Sequence, residues 1–145
     1  ELIVRGICCL KVGIPGISEN IHVRSIVGNF LEHSRIFFFL NDGEEELYMG
    51  SADWMPRNLD RRVEILFPVL DDMLKEKVKH ILDVELTDNT KAHVLKPDGE
   101  YEKIDRRGKV LVNSQKQFCE EAVAAVPKTD HVYRERVFVP AEPAE

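Results

Sequence analysis

The chain has 145 residues, of which 43% are apolar and 32% are charged, and its 20 basic and 26 acidic side chains give a net charge of −6. This length suits one domain or part of one, and the apolar fraction excludes a disordered chain. The negative charge excludes bulk attraction to nucleic acid, and no stretch approaches the ~20 apolar residues of a membrane-spanning helix.

The first half of the chain is predicted to contain strands, a loop and one helix. "ELIVRGICCL" (1–10) has the apolar character of an interior strand, and "KVGIPGISEN" (11–20) has the glycines and proline of a loop. Ser18 is a candidate N-cap for a helix over about 19–32, where apolar residues recur at helical spacing.

A strand hairpin is predicted next. Strands over 35–40 and 47–52 flank "NDGEEE", whose Asp-Gly pair tolerates the positive φ of a tight turn. A further strand is predicted over 61–69, ending at Pro68.

The second half of the chain is predicted to contain four elements: a helix over 71–86, a hairpin around Pro97-Asp98-Gly99, a helix over 112–126 and an edge strand over 131–139. The tail 140–145 is predicted to be disordered. The sum is a mixed α/β fold, with the core over about 1–95 and peripheral elements over 96–139.

The first residues and the cysteines indicate what kind of chain this is and which cellular compartment suits it. Glu1 leads directly into an apolar run, so we expect a fragment whose sheet is incomplete at its N-terminus. Cys8, Cys9 and Cys119 form no CxxC pair, and an odd number of buried thiols predicts structural roles in a reducing, cytoplasmic compartment.

Arginine is concentrated in the first part of the chain. Residues 1–62 contain six Arg and one Lys, whereas residues 63–145 contain four Arg and nine Lys. The planar guanidinium group suits phosphate oxygens. Because residues 1–62 still carry nine acidic against seven basic side chains, the pattern indicates individually placed arginines rather than a basic patch.

Two residues each have two open interpretations. Arg5 interrupts an apolar strand, so either an acid such as Glu64 or an anionic ligand must neutralise it. His33 lies between the predicted helix and strand 35–40, where it either favours the helix dipole or contacts a phosphate or donates a proton at the sheet edge. The remaining histidines are predicted to be structural: His22, His80, His93 and His131.

The stretch "GSADWMPRNLDRR" (50–62) combines small, directional and bidentate polar residues. Ser51 offers a hydroxyl group, Asp53 can orient a histidine or an arginine, and Asn58 can cap or donate. Arg61 and Arg62 are expected on opposite faces of one strand, so only one of them would reach a shared site.

A purely structural interpretation of the same stretch stays open. Asp53, Asp60, Arg57 and Arg61 could form a salt-bridged strand pair, and Trp54 could belong to the core or to the wall of a pocket.

The order His33, strand, turn, strand, "GSAD" and "NLDRRVE" resembles the second half of a phospholipase D-type motif. Arg35 stands two residues after His33, where that motif has lysine. This departure argues against ordinary phosphodiesterase activity.

A longer resemblance covers most of the chain. "VRGICCL", "GISENIHVRSIVGNFLEHSRIFFF" and "YMGSADWMPRNLDRRVEILFPVLD" look like the C-terminal catalytic domain of bacterial polyphosphate kinases. The resemblance weakens after about residue 95. It implies a phospholipase D-like mixed sheet flanked by helices, and it makes residues 1–145 the C-terminal part of that domain.

The resemblance also implies roles for individual residues. Arg5, His33 and Arg62 match positions that bind the phosphates of ATP, with His33 the candidate catalytic residue. Ser51 and Asp53 match nearby supporting positions, to which the residues themselves add Asn58. No metal ligand is expected within the chain.

The implied reaction is the reversible transfer of the terminal phosphate of ATP to polyphosphate through a phosphohistidine in the preceding domain. The implied partners are ATP or ADP, polyphosphate, the upstream domains and Mg²⁺ held outside this segment. The location would be cytoplasmic, with peripheral contact to the inner membrane as an alternative, and homo-oligomer formation stays open. The alternative functions are a phospholipase D-like phosphodiesterase half and a non-catalytic polyphosphate- or nucleotide-binding module.

Overall fold

The structure is a computed structural model and describes residues 1–6 and 8–126. It is a mixed α/β fold, as the sequence predicts. In chain order its strands and α-helices are β1 (Leu2–Ile3), β2 (Val23–Ile26), β3 (Ile36–Phe39), β4 (Glu46–Gly50), α1 (Pro56–Arg61), β5 (Leu66–Pro68), α2 (Asp72–Thr87), β6 (Ala92–Leu95), β7 (Tyr101–Lys103) and α3 (Ser114–Ala125).

One sheet has four strands in the order β1-β2-β6-β7. β1 runs parallel to β2, and the other two pairings are antiparallel. Val23 of β2 and Leu95 of β6 are buried together with Val12 and form the core of this sheet. The central strand β2 therefore owes its place to partners that are distant in sequence.

The second sheet has three antiparallel strands in the order β3-β4-β5. The turn between β3 and β4 contains a short 3-10 helix, Asn41–Gly43, in which Asn41 has φ 46° and Asp42 has φ 54°. Leu47 of β4, Val69 and Val78 of α2 form the buried cluster. Helix α2 thus packs against this sheet through Val78.

Asp88 joins three elements at the end of α2. It is 1% exposed, and its Oδ1 accepts from the backbone N–H groups of Thr90, Lys91 and Ala92 at 2.8–3.2 Å. Its Oδ2 accepts from the N–H and the hydroxyl group of Ser114, the first residue of α3, at 2.8 and 2.9 Å. Burial alone would raise the pKa of Asp88, but these hydrogen bonds outweigh burial and lower the pKa below its ordinary value.

Several predicted elements are confirmed. The hairpin of strands 35–40 and 47–52 corresponds to β3 and β4, and the predicted helix 71–86 corresponds to α2. The hairpin around Pro97-Asp98-Gly99 is formed by β6 and β7, and the helix predicted over 112–126 is α3.

The predicted helix over 19–32 is wrong. Residues 23–26 form strand β2, and residues 27–35 have no regular secondary structure. Ser18 caps a turn instead, because its hydroxyl group accepts from Ile14 N–H and donates to Lys11 O. The β-branched residues Val23 and Ile26 fit a buried strand well, and pairing with β1 and β6 satisfies both backbone edges.

Two predicted strands are shorter than expected. Strand 1–10 is reduced to β1, and Arg5 beyond it is exposed, so no buried charge needs a partner there. Strand 61–69 is reduced to β5, since residues 56–61 form α1 with Pro56 at its first position. Arg61 ends that helix and Arg62 follows it, so the expectation of opposite faces of one strand is wrong for this pair.

The predicted edge strand 131–139 and the tail 140–145 lie outside the described residues, and the division into core and periphery stays a prediction. Cys8, Cys9 and Cys119 are free thiols, two of them exposed. Among the described helices, none combines the length and apolar character needed to cross a membrane.

Candidate functional site

The predicted polar residues of the three-stranded sheet gather at one end of it, where β3 begins, β4 ends and β5 begins. The antiparallel register produces this arrangement. Gly50 N–H donates to Arg35 O at 3.0 Å, and Ser51 N–H donates to Ile65 O at 3.0 Å. We call residues 33–35, 51–53 and 58–65 at this end the candidate site.

Arg35 is the centre of the first group of side chains. Its side chain is only 12% exposed, and its Nε and Nη2 both donate to Oδ1 of Asp53, at 2.9 and 2.6 Å. Its Nη1 lies 2.7 Å from both Nδ1 and the backbone O of His33. One guanidinium group therefore joins the residue before β3 to the loop after β4.

Arg35 lies against both ring nitrogens of His33, with Nη1 at 2.7 Å from Nδ1 and Nη2 at 3.4 Å from Nε2. A guanidinium group only donates hydrogen bonds, so the nearer nitrogen, Nδ1, is the acceptor of the shorter contact. His33 is exposed, and the orientation of its ring depends on Arg35.

A second group of side chains lies beside the first. Ser51 donates to Oε2 of Glu64 and accepts from Ile65 N–H at 3.0 Å. Oε1 of Glu64 lies 3.8 Å from Nε of Arg62, and Nη1 of Arg62 donates to the buried Asn58 at 3.4 Å. Glu64 thus joins Ser51 to Arg62, which in turn contacts Asn58.

The two groups differ in how firmly each arginine is held. Arg35 makes short contacts and is nearly buried, so it acts as part of the framework. Arg62 is 56% exposed and makes only long contacts, so an anion can compete for it at little cost. The arrangement can present the exposed Arg62 cation and the imidazole ring of His33 to phosphate oxygens.

Arg5 lies in another part of the fold. It follows β1 in the four-stranded sheet, and among the described residues no hydrogen bond or ion pair joins it to His33 or Arg62. Glu64, its suggested partner, is occupied by Ser51 and Arg62. Whether Arg5 contributes to the same phosphate site stays a prediction.

The structure also shows the contacts of other residues in "GSADWMPRNLDRR". Trp54 is exposed and stacks on Phe37 with ring centroids 5.8 Å apart, so it is not core. Glycine at residue 50 allows the chain at Ile65 to approach closely, since a Cβ atom at residue 50 would lie 3.2 Å from Ile65 O. In the described part of the chain, Asp53 pairs with Arg35, and none of the ion pairs expected among Asp53, Asp60, Arg57 and Arg61 is present.

A pair of acidic side chains lies behind the segment that carries His33. Glu85 of α2 is 7% exposed, and burial, with smaller contributions from the charges of Glu32 and Asp88, raises its pKa to about 7. Glu32 directly precedes His33. The neighbourhood of this segment is therefore sensitive to pH near neutrality.

The described residues do not fit a magnesium site. They contain no group of three or more His, Cys, Asp or Glu side chains placed to hold a metal ion. Of the three carboxylates in the candidate site, Asp53 and Glu64 each face an arginine.

Two residues at the centre of the site were not singled out from the sequence. Arg35 was noted only as a departure from a lysine, and Glu64 only as a partner for Arg5. The spacing of two between His33 and Arg35 was the available signal, because side chains at i and i+2 of an extended chain lie on the same side.

Comparisons with known proteins agree with this fold. Residues 1–115 match the family model described as polyphosphate kinase C-terminal domain 2. The chain is 55% identical over 127 residues to a polyphosphate kinase of Pseudomonas aeruginosa and 58% identical over 118 residues to one of Chlorobaculum tepidum. These matches cover 87% and 81% of this chain but only 18% and 17% of the two relatives.

A solved structure is also similar. The crystal structure of a polyphosphate kinase from Porphyromonas gingivalis matches with a TM-score of 0.77 and 40% identity, over 84% of this chain and 19% of that one. The chain thus spans less than a fifth of the length of these proteins. With the family model matched over residues 1–115, this chain belongs to the polyphosphate kinase C-terminal domain 2 family.

Proposed function

We propose that this chain is part of an ATP:polyphosphate phosphotransferase and that the candidate site binds phosphate groups of its substrates. Membership of the family and relatives named polyphosphate kinase support the activity. The observation that carries the proposal for the site is the joined set of His33, Arg35 and Asp53 beside the exposed Arg62.

Phosphoryl transfer suits such a set of residues. The reaction requires little covalent chemistry from the protein beyond a nucleophile, and it depends on neutralising charge and aligning groups. In the proposed cycle, a histidine of the preceding domain attacks the terminal phosphorus of ATP, forming a P–N bond as ADP leaves. The terminal oxygen of polyphosphate then attacks that phosphorus, and the P–N bond breaks.

The proposed roles follow from exposure and pairing. Arg62 turns from Glu64 to a phosphate oxygen, which is favoured because its present contacts are long. His33 donates a ring N–H to a phosphate oxygen, with its ring oriented by Arg35. Arg5 is the third proposed phosphate-binding residue; it is exposed and follows a strand whose parallel neighbour leads toward His33.

Arg35, Asp53, Ser51 and Asn58 are proposed to act as positioning residues. They orient His33 and Arg62 through the hydrogen bonds already described. Mg²⁺ is proposed to be held by residues beyond those described here. We further propose a cytoplasmic enzyme in which upstream domains supply the nucleophile; homo-oligomer formation stays open.

The proposal is tested in a chimera in which this chain replaces the matching segment of the Pseudomonas aeruginosa polyphosphate kinase. Replacement of His33 or Arg62 with Ala should reduce ATP-dependent polyphosphate synthesis by about 100-fold or more, because each removes a donor to developing charge. His22→Ala and Arg106→Ala are matched controls on exposed residues elsewhere and should retain activity. Circular dichroism checks that all variants fold.

Three results would contradict the proposal in different ways. An active chimera whose His33 and Arg62 variants also remain active would refute the site. Release of a phosphodiester product without polyphosphate synthesis would favour the hydrolase alternative. Binding of polyphosphate without turnover, under conditions in which the parent enzyme is active, would favour the binding module.

A further inference from the structure

Gln115 is a buried residue that contacts the segment carrying His33 from a distant part of the chain. It is the second residue of α3 and is 6% exposed. Its Oε1 accepts from Phe30 N–H at 3.0 Å, and its Nε2 donates to Phe30 O at 2.9 Å. The same Nε2 donates to Oε1 of Glu32 at 2.9 Å.

These three hydrogen bonds leave little freedom for the Gln115 amide group. Phe30 N–H requires an acceptor and Phe30 O requires a donor, so the two contacts together determine which side of the amide carries oxygen. Both N–H donors of Nε2 are then used, one on Phe30 and one on Glu32. Gln115 thus makes two hydrogen bonds to the backbone of Phe30 and one to the side chain of Glu32. We call these three bonds the clamp.

Gly28 provides the space for this clamp. A Cβ atom at residue 28 would lie 2.2 Å from Oε1 and 2.6 Å from Cδ of Gln115. Because these atoms form the end of a flexible side chain, they could move away. Moving them, however, would break the hydrogen bonds to Phe30. The contact between Gln115 and Phe30 therefore depends on glycine at residue 28.

The clamped segment has few other fixed points. Residues 27–35 connect β2 of the four-stranded sheet to β3 of the three-stranded sheet and have no regular secondary structure. Ordering such a segment has a cost of about 1–2 kcal/mol per residue in backbone entropy. Gln115 holds residues 30 and 32, and Arg35 holds His33 from the other side.

The position of Gln115 is itself well determined. The preceding residue, Ser114, is 1% exposed and donates through both its N–H and its hydroxyl group to Asp88. A short path of hydrogen bonds therefore runs from Asp88 through the start of α3 to Glu32, the residue before His33.

We propose that Gln115 is a positioning residue for His33 and that it requires glycine at residue 28. This inference rests on the proposed function of His33. Loss of the clamp lets segment 27–35 move while the sheets remain intact, so substrate binding by other residues persists and the catalytic step suffers. A displacement of about 1 Å at a phosphate contact is enough to slow a reaction about 100-fold.

The test uses the same chimera with Gln115→Ala, Gly28→Ala and the double variant. Gln115→Ala should lower kcat at least tenfold with a small change in KM for ATP, and it should increase hydrogen exchange at the Phe30 amide. Gly28→Ala should have the same two effects. Gln117→Ala is the matched control: among the described residues, the side chain of this glutamine on the same helix donates to Glu121, so its loss should change neither measurement.

The double variant separates positioning from simple loss of packing. Alanine at residue 115 removes the atoms that a side chain at residue 28 would strike, so the double variant should be no less active than Gln115→Ala alone. Independent effects would instead multiply. Unchanged kcat in Gln115→Ala, with only a lower melting temperature, would overturn the inference and leave a structural role.

Failure of the inference is distinguishable from failure of the proposed function. If His33→Ala retains synthesis, the proposed function is refuted whatever the clamp does. If His33→Ala abolishes synthesis but Gln115→Ala has normal kcat and normal exchange at Phe30, the function stands and the clamp is refuted.

Discussion

Arg35 shows how one side chain can organise several predicted site residues. It reaches His33 before β3 and Asp53 after β4, and both contacts require a planar group that donates in more than one direction. Lysine carries the same charge but has a single ammonium group. The arginine at this position is therefore a geometric requirement of the observed arrangement.

Arg35→Lys should reduce polyphosphate synthesis by the chimera about tenfold to 100-fold, because an ammonium group cannot hold His33 and Asp53 in the same geometry. Steady-state assays measure the effect. Arg107→Lys is the control: Arg107 also donates through Nε and Nη2 to a carboxylate, that of Asp105, but is exposed far from β3 and β4 in sequence. Equal activity of the Arg35→Lys variant and the parent chimera would show that this geometry is unimportant.

The sequence predicted that these polar residues lie at strand ends, but not which side chains they contact. His33, Ser51 and Asp53 were chosen by residue type and by their places at strand ends, and these positions depend on the β3-β4 hairpin, which is local. The partner of Asp53 depends on register, and register follows from the turn at Asn41–Gly43 and the whole buried face. Residue types alone do not contain that information.

The burial predicted for Arg5 is wrong for a related reason. Its apolar neighbours predicted a buried strand, but the strand ends at Ile3 and Arg5 is exposed. A short apolar run does not reveal where pairing stops, because the pairing partner β2 is about 20 residues away in the chain.

At the level of elements, local and long-range pairing explain which predictions succeeded. Helix α2 is long, strongly periodic and capped by Asp71, whose side chain accepts from Leu74 N–H. The segment 19–32 has a similar apolar period, yet strand β2 forms there between β1 and β6. Non-local sheet pairing overrode a helical pattern whose candidate N-cap, Ser18, bonds to Ile14 N–H and Lys11 O instead.

The junction at Asp88 gives an element-level prediction. Asp88→Asn should lower the free energy of unfolding by about 3 kcal/mol, because an amide N–H₂ group replaces one oxygen that accepts buried hydrogen bonds. Urea unfolding at pH 7 measures the loss. Asp105→Asn, which changes an exposed carboxylate in contact with Arg107, should leave the unfolding midpoint nearly unchanged.

The same junction predicts the behaviour in acid. Hydrogen bonds lower the pKa of Asp88 in the folded chain, so the unfolded chain binds this proton at a higher pH. The stabilisation is complete above the unfolded pKa of about 4 and is lost as the pH falls through the lower folded value. Asp88→Asn should lack this part of the acid dependence, and an unaltered profile would contradict the assignment.

At the level of the whole molecule, Glu85 couples folding to proton uptake. Its pKa is about 7 when folded and about 4.5 when unfolded, so the folded chain binds the proton between these values. Stability from this residue therefore falls as the pH rises from about 4.5 to about 7, by up to about 3 kcal/mol in total.

Glu85→Gln should remove this dependence and stabilise the chain above pH 7, since glutamine has no charge to bury beside Glu32 and Asp88. Unfolding at a series of pH values measures the slope. Glu76→Gln, an exposed position on the same helix, is the control. A variant that is less stable than the parent at pH 8 would rule out the buried, protonated state.

The close approach of residues 28 and 115 restricts the order in which substitutions at these two positions can accumulate during evolution. A lineage that first gains a methyl group at residue 28 passes through a crowded intermediate, whereas one that first shortens residue 115 meets open space at the next step. The two routes lead to the same pair of residues, but only the second avoids a collision, so the order of the two substitutions matters.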